Sequence, residues 1–235
     1  MFLKINNCIF CKPTFINFVK NIPPMRLKFP LIFNLFFSVY VCSQDNATRF
    51  QWLRSGINFG YASQNTFLKQ DSDYTYESKS VKFTNHFNFS RKRKHSWEIL
   101  VEPSYYRSKH QMLNYWFISH TVENGDELRA KFMRMKTINE YVLNLGVVYR
   151  RYLTSNSSVL VTLNTGPMYI DTETERLKKG FAFSDILSFG YNYRAKKISF
   201  EAKCVVRHVS NANLQMPNFG LNAAGFEFGS YYEFN

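Results

Sequence analysis

From residue 44 onward the chain changes polarity at every second residue, segment after segment, and this period constrains the fold more than any other feature. A period of two puts alternate side chains on opposite faces of an extended strand. Eight stretches carry it: 50–61, 79–90, 96–107, 137–151, 158–170, 181–194, 197–210 and 221–234. In the second, Val81, Phe83, Phe87 and Phe89 oppose Lys82, Thr84, His86 and Asn88. In the fourth, Tyr141, Leu143, Leu145, Val147 and Tyr149 oppose Glu140, Asn144 and Gly146. Neither a helical period nor an internal repeat stands out. Aromatics make up 18% of the chain, yet the mean hydropathy is −0.31. Many aromatics without long apolar runs fit strands with one greasy face, as in a membrane barrel. A soluble sandwich would also alternate. The barrel is favoured because about 9–11 tilted residues cross a bilayer as a strand.

The beginning of the chain reads as an export signal. Met25 opens "MRLKFPLIFNLFFSVYVCSQ", with Arg26 and Lys28 ahead of an apolar stretch at 29–41. That stretch is shorter than the roughly 20 residues a membrane helix needs. The pattern predicts a signal peptide over 1–43, with the true start at Met25, and a barrel over 44–235. Loss of 1–43 removes five basic residues (Lys4, Lys12, Lys20, Arg26, Lys28) and no acid, which takes Lys+Arg from 30 to 25 against 17 Asp+Glu, a net +8. It also removes Cys8, Cys11 and Cys42. Only Cys204 is left, so neither an intrachain disulfide nor a cysteine metal site is expected, and no cofactor is called for. The positive charge suits an anionic partner such as phosphorylated lipid, while an export signal argues against nucleic acid. The basic run "RKRK" at 91–94 reads as a solvated turn.

The expected connections alternate in length, with long ones at 62–78, 108–136 and 171–180 and short ones at 91–95, 152–157 and 195–196. Short turns on one side and long loops on the other suit an outer-membrane barrel. The fold expected is therefore all-β, an eight-stranded antiparallel transmembrane up-and-down β-barrel in the bacterial cell outer membrane. Eight strands leave an interior filled by side chains, not a diffusion pore.

Strand 197–210 then holds the question of function. Ser199, Glu201, Lys203 and Arg207 form its charged face, which belongs in the lumen. The opposite face, with Ile198, Phe200 and Val206, must meet lipid, and it ends in His208 and Ser210. By the same parity Asn222 faces lipid on the next strand, brought beside Ser210 by the loop 211–220. Polar groups against lipid are costly and call for a function. Asp185 is the one acid on the apolar face of 181–194. A turn at 195–196 would set it opposite Val206 and diagonal to His208.

The motif "HVSNA....PN.G" at 208–220 resembles the PagL-type lipid A 3-O-deacylases, the acyloxyacyl-hydrolase-like barrel family. The resemblance implies an outer-membrane serine esterase that removes an ester-linked acyl chain from lipid A or lipopolysaccharide. It implies His208 as general base, Ser210 as nucleophile and Asn218 as an oxyanion donor, with Asn211 and Gly220 beside it. It also allows a homodimer. Where well-known members carry Glu, this chain has Asn222, which can orient the imidazole but cannot offset its charge. Asp185 is a candidate to assist or replace that third member. Lys69, Arg129, Lys131, Lys178 and Lys179 are candidates to meet lipid A phosphates. The alternative is a weak or inactive barrel of the same family with a structural or lipid-binding role.

Overall fold

The computed structural model describes residues 51–67 and 70–234. The expected signal segment 1–43 and Lys69 lie outside the described residues. Eight strands run antiparallel in chain order: β1 (Trp52–Ser63), β2 (Tyr74–Arg91), β3 (His95–Met112), β4 (Lys136–Tyr152), β5 (Ser157–Ile170), β6 (Gly180–Ala195), β7 (Ile198–Ser210) and β8 (Leu221–Glu233). Each pairs with the next, and β8 closes on β1 to form one barrel. Short turns at 92–94, 153–156 and 196–197 lie at one end, and the longer connections lie at the other.

Alternation explains the architecture directly. Phe59, Phe83, Leu163, Phe189, Phe226 and Phe228 stand on the outer wall and are at least half exposed. Such an apolar wall is stable only against lipid. The inward residues are polar and paired. The Lys82 ammonium lies 3.2 Å from Glu102 and also meets Glu227, which Lys203 approaches at 3.1 Å. Arg150 holds Glu98 at 2.9 Å and Glu201 at 3.2 Å. A buried charge is tolerated only with its partner and its hydrogen bonds in place. Toward the long loops the lumen turns apolar, with Tyr76, Tyr106, Ile138, Met168, Val209 and Leu221 packed together. The interior is thus filled, as eight strands require.

Two expectations need correction. β2 and β3 extend to 18 residues each, beyond the 79–90 and 96–107 read from the sequence. The added outer ends bury Tyr74, Tyr76 and Met112 inward, but their outward residues, Thr75, Glu77, Lys109 and Gln111, are polar or charged, so the apolar signal fades there. A short helix, α1 (Gly125–Phe132), also stands in the β3–β4 connection, where no helical period was expected. Eight residues are too few to display that period. α1 is held by ends rather than by a greasy stripe: Asp126 and Glu127 lie in its first turn, and Arg129 and Lys131 lie in its last.

One ladder traces the tilt of the strands. From His208 it passes through Asp185, Thr165, Leu145, Val101, Asn85, Ser55 and Tyr232. It returns to β7 at Ile198, ten residues from where it began. Ten residues over eight strands is a shift of 1.25 residues per strand at constant height.

Candidate active site on the lipid-facing wall

His208, Ser210, Asn222 and Asp185 all lie on the outer wall near the long-loop end. His208 is directly opposite Asn222 on β8 and directly opposite Asp185 on β6. Both differ from the sequence reading. Asn222 lies beside His208, not Ser210. Asp185 is a direct neighbour of the imidazole, not a diagonal one. For Asp185 the cause is the β6–β7 turn, which falls at Lys196 and Lys197, one residue later than expected, with Lys196 in the left-handed region (φ 59°), whereas the place of Asn222 is set by the β7–β8 register. A shift of one residue in the turn moves the facing partner by two.

The imidazole is oriented by one short bond. His208 Nδ1 lies 2.7 Å from Asn222 Oδ1. With the Asn222 carbonyl oxygen as acceptor, the proton resides on Nδ1, and the lone pair falls on Nε2. Asn222 is itself fixed, because its backbone N–H donates to the buried Tyr74 hydroxyl at 3.1 Å. On the other side, Thr165 Oγ1 donates to Asp185 Oδ1 at 2.7 Å. Asp185 therefore contributes a carboxylate beside the ring without hydrogen-bonding to it. Ser210 is half-buried two residues further along the same face, opposite Phe183. Among the described residues its hydroxyl makes no hydrogen bond, to His208 or to any other group.

Gly220 shapes the floor of this site. Its φ is +71°, and a Cβ there would come within 2.8 Å of His208 Cε1 and 3.0 Å of the Val209 carbonyl oxygen. Backbone conformation and ring contact both call for glycine.

In the loop 211–220 the residues expected beside the oxyanion also hold the backbone. Asn218 Oδ1 accepts the Asn211 backbone N–H at 2.8 Å, and its Nδ2 donates to Asn213 Oδ1 at 2.9 Å. Asn211 is buried and donates to the carbonyls of Gln215 and Pro217. Both amides brace the loop from within. Sequence reasoning missed the anchor of this loop, Arg176 in the β5–β6 connection. Its Nε donates to the Gly220 carbonyl at 2.8 Å, its own carbonyl accepts the Phe219 N–H at 3.0 Å, and its guanidinium lies over the Tyr74 ring at 4.2 Å. An ion pair with Asp71 at 3.2 Å completes the clamp. No local pattern marks such a residue. Thr165 was legible, since parity on β5 puts it on the lipid face.

Most of the loop cations proposed as phosphate contacts are already engaged. Arg129 is buried and bonds to Asp126 and the Ile118 carbonyl. Lys131 and Lys178 both bridge to Glu173, whose carboxyl is held below the usual range chiefly by the Lys131 hydrogen bond. Lys179 stays exposed.

Known proteins carry related features. The family model described as lipid A 3-O-deacylase (PagL) matches residues 106–231, more than half of the chain and all of the site. Among solved structures, the outer membrane enzyme PagL aligns over 75% of this chain and 97% of its own, with 10% identity and a TM-score of 0.48. Neisserial surface protein A (NspA) aligns over 78% and 96%, with 10% identity and a TM-score of 0.45. Ail, the attachment invasion locus protein of Yersinia pestis, aligns over 77% and 99%, with 12% identity and a TM-score of 0.37. No curated protein matches the chain.

Proposed function

Because this chain belongs to the PagL family of lipid A 3-O-deacylases, barrels of the bacterial outer membrane, we propose that it is an esterase acting on lipid A through Ser210 and His208. The observation that carries the reading is the 2.7 Å bond from Asn222 to His208 Nδ1 on the lipid-facing wall. It leaves Nε2 as a base on the side where a lipid ester would arrive. In this reading Nε2 takes the Ser210 proton as Oγ attacks the ester carbonyl carbon. The tetrahedral oxyanion is met by the backbone N–H groups of Ala212 and Asn213, since those of Asn211 and Leu214 are bonded within the loop, and by the second Nδ2 hydrogen of Asn218, each such donor worth roughly 3–4 kcal/mol. Collapse of the intermediate breaks the bond to the sugar oxygen, which takes the proton back from His208. Water then releases the fatty acid from Ser210. The acyl chain lies along the aromatic wall, so no deep pocket is needed. Asp185 assists by favouring the imidazolium through its charge.

A second reading is a barrel of the same family with little or no activity, serving a structural or lipid-binding role. Two observations favour it: an amide stands at position 222, and the Ser210 hydroxyl has no bond to the ring. Mass spectrometry of lipid A from cells expressing the wild type, Ser210→Ala or His208→Ala separates the two. The esterase reading expects lipid A lighter by one acyl chain with the wild type only. Identical spectra for all three would leave the inactive barrel.

A further inference from the structure

On the wall opposite the candidate active site, β2 and β3 turn three cations outward where the apolar belt ends. Lys79 and Arg107 face each other across the ladder, and Lys109 is the next outward residue along β3. All three are exposed. With Tyr61, Glu77 and Thr137 they line a recess of ≈ 370 Å³ on the outer surface. Glu77, opposite Lys109, offsets one charge and leaves two positive. Among the described residues none of the three cations is in an ion pair. Charged side chains on the outer wall of a barrel are costly unless they meet a partner at the membrane boundary.

The height of this recess follows from the tilt. Four strands from His208 the ladder reaches Val101 on β3. At 1.25 residues per strand, the height of His208 is met five residues further up β3, between Tyr105 and Arg107. The same count sets Lys79 on β2 at that height. Below it the outward residues are Val81, Phe83 and Val101, and the Tyr105 and Tyr141 rings pack 5.4 Å apart at the boundary. Interfacial aromatics of this kind mark the headgroup level. The three cations are thus level with the candidate ester-cleaving residues but face the other way. Outward neighbours across strands lie about 5 Å apart and diagonal ones about 7–8 Å, a spacing that lets two or three cations share one phosphate.

We propose that Lys79, Arg107 and Lys109 form a second, non-catalytic site for the phosphorylated headgroup of an outer-leaflet glycolipid, bound on the barrel wall away from Ser210. The proposal takes from the family assignment that the long loops face outward and that the surrounding lipid is lipid A. It does not depend on Ser210 being active.

The test uses the full barrel carrying Ser210→Ala, so that substrate stays intact. It is titrated with bisphosphorylated lipid A in detergent and followed by native mass spectrometry. The expected result is one more bound lipid than in the same protein with K79Q, R107Q and K109Q added. The lost site weakens roughly a hundredfold, at about fivefold per basic residue near an anionic surface. K79R with K109R, which keeps the charge, retains the extra lipid. Dephosphorylated lipid A does not fill that site, and millimolar inorganic phosphate does not displace the lipid, which separates a headgroup site from a free-phosphate site. Equal stoichiometry and affinity with and without the three substitutions would overturn the proposal, as would filling of both sites by dephosphorylated lipid. With Ser210 intact, the triple variant keeps micellar deacylation at the unsubstituted rate. A barrel that never deacylates but loses one lipid on K79Q/R107Q/K109Q would defeat the esterase reading and leave this one standing.

Discussion

The side chain of Asn222 sets what His208 can do. Its carbonyl oxygen fixes the Nδ1 tautomer at 2.7 Å, but an amide brings no charge to stabilise the imidazolium that the proposed attack would form. In a serine protease the carboxylate-to-amide change costs about 10⁴ in turnover. Asn222→Glu is therefore expected to raise kcat by roughly ten- to a hundredfold, bounded by that figure, whereas Asn222→Ala lowers it by leaving the ring unoriented. Asp185 lies on the other flank of the ring, so Asp185→Asn should lower kcat as well, and by less in an Asn222→Glu background where the charge is already supplied. Steady-state deacylation with purified variants measures both effects. Unchanged kcat on Asp185→Asn in both backgrounds would assign Asp185 to the membrane rim alone, and equal losses would show that it acts independently of residue 222. Asn222, His208, Asp185 and Ser210 were legible because a period of two fixes which face each side chain takes. Their pairing was not: that of Asp185 with His208 depends on a turn in which Lys196, a residue without a turn signature, adopts φ 59°, and that of Asn222 depends on the register across the 211–220 connection.

At the scale of elements, the candidate site on β7 and β8 depends on a loop that belongs to neither. The β5–β6 connection sends Arg176 across to the Gly220 and Phe219 carbonyls, and Leu177 forms an isolated bridge with Asn218. This tie fixes Gly220 against the imidazole. Arg176→Gln should free the loop 211–220 without opening the barrel, because the strand ladders are untouched. Hydrogen exchange at 212–220 is expected to speed up while the amides of β7 stay protected, and kcat falls with little change in KM. Unchanged exchange at 212–220 would show that the loop's own bonds, such as Asn211 to Gln215 at 2.7 Å, suffice. Strand existence was readable from alternation alone. The clamp was not, because it joins residues over 40 positions apart through backbone carbonyls that any side chain could carry, and α1 was too short to show its period.

At the scale of the whole molecule, alternation separates stability from chemistry. Inward residues carry the ion network, outward residues carry the candidate catalytic and lipid-binding groups, and each strand supplies both. β7 shows this most clearly, with Lys203 and Arg207 inside and His208 and Ser210 outside. A lesion in the lumen should then weaken the barrel and leave the outer wall working. Lys82 is the sharpest case, since its ammonium serves both Glu102 and Glu227. Lys82→Met would leave Glu102 without its cation, whereas Glu227 would keep Lys203 at 3.1 Å. Removing one partner of a buried pair costs about 3–5 kcal/mol, so the midpoint of urea unfolding in lipid vesicles should fall clearly. The deacylation rate per folded barrel should match that of the wild type, because Lys82 is buried in the lumen and the proposed site of ester attack is on the opposite face of the wall. A Lys82→Met barrel that stays folded but loses turnover would show that the interior network shapes the active site, and the division between the two faces would then be wrong.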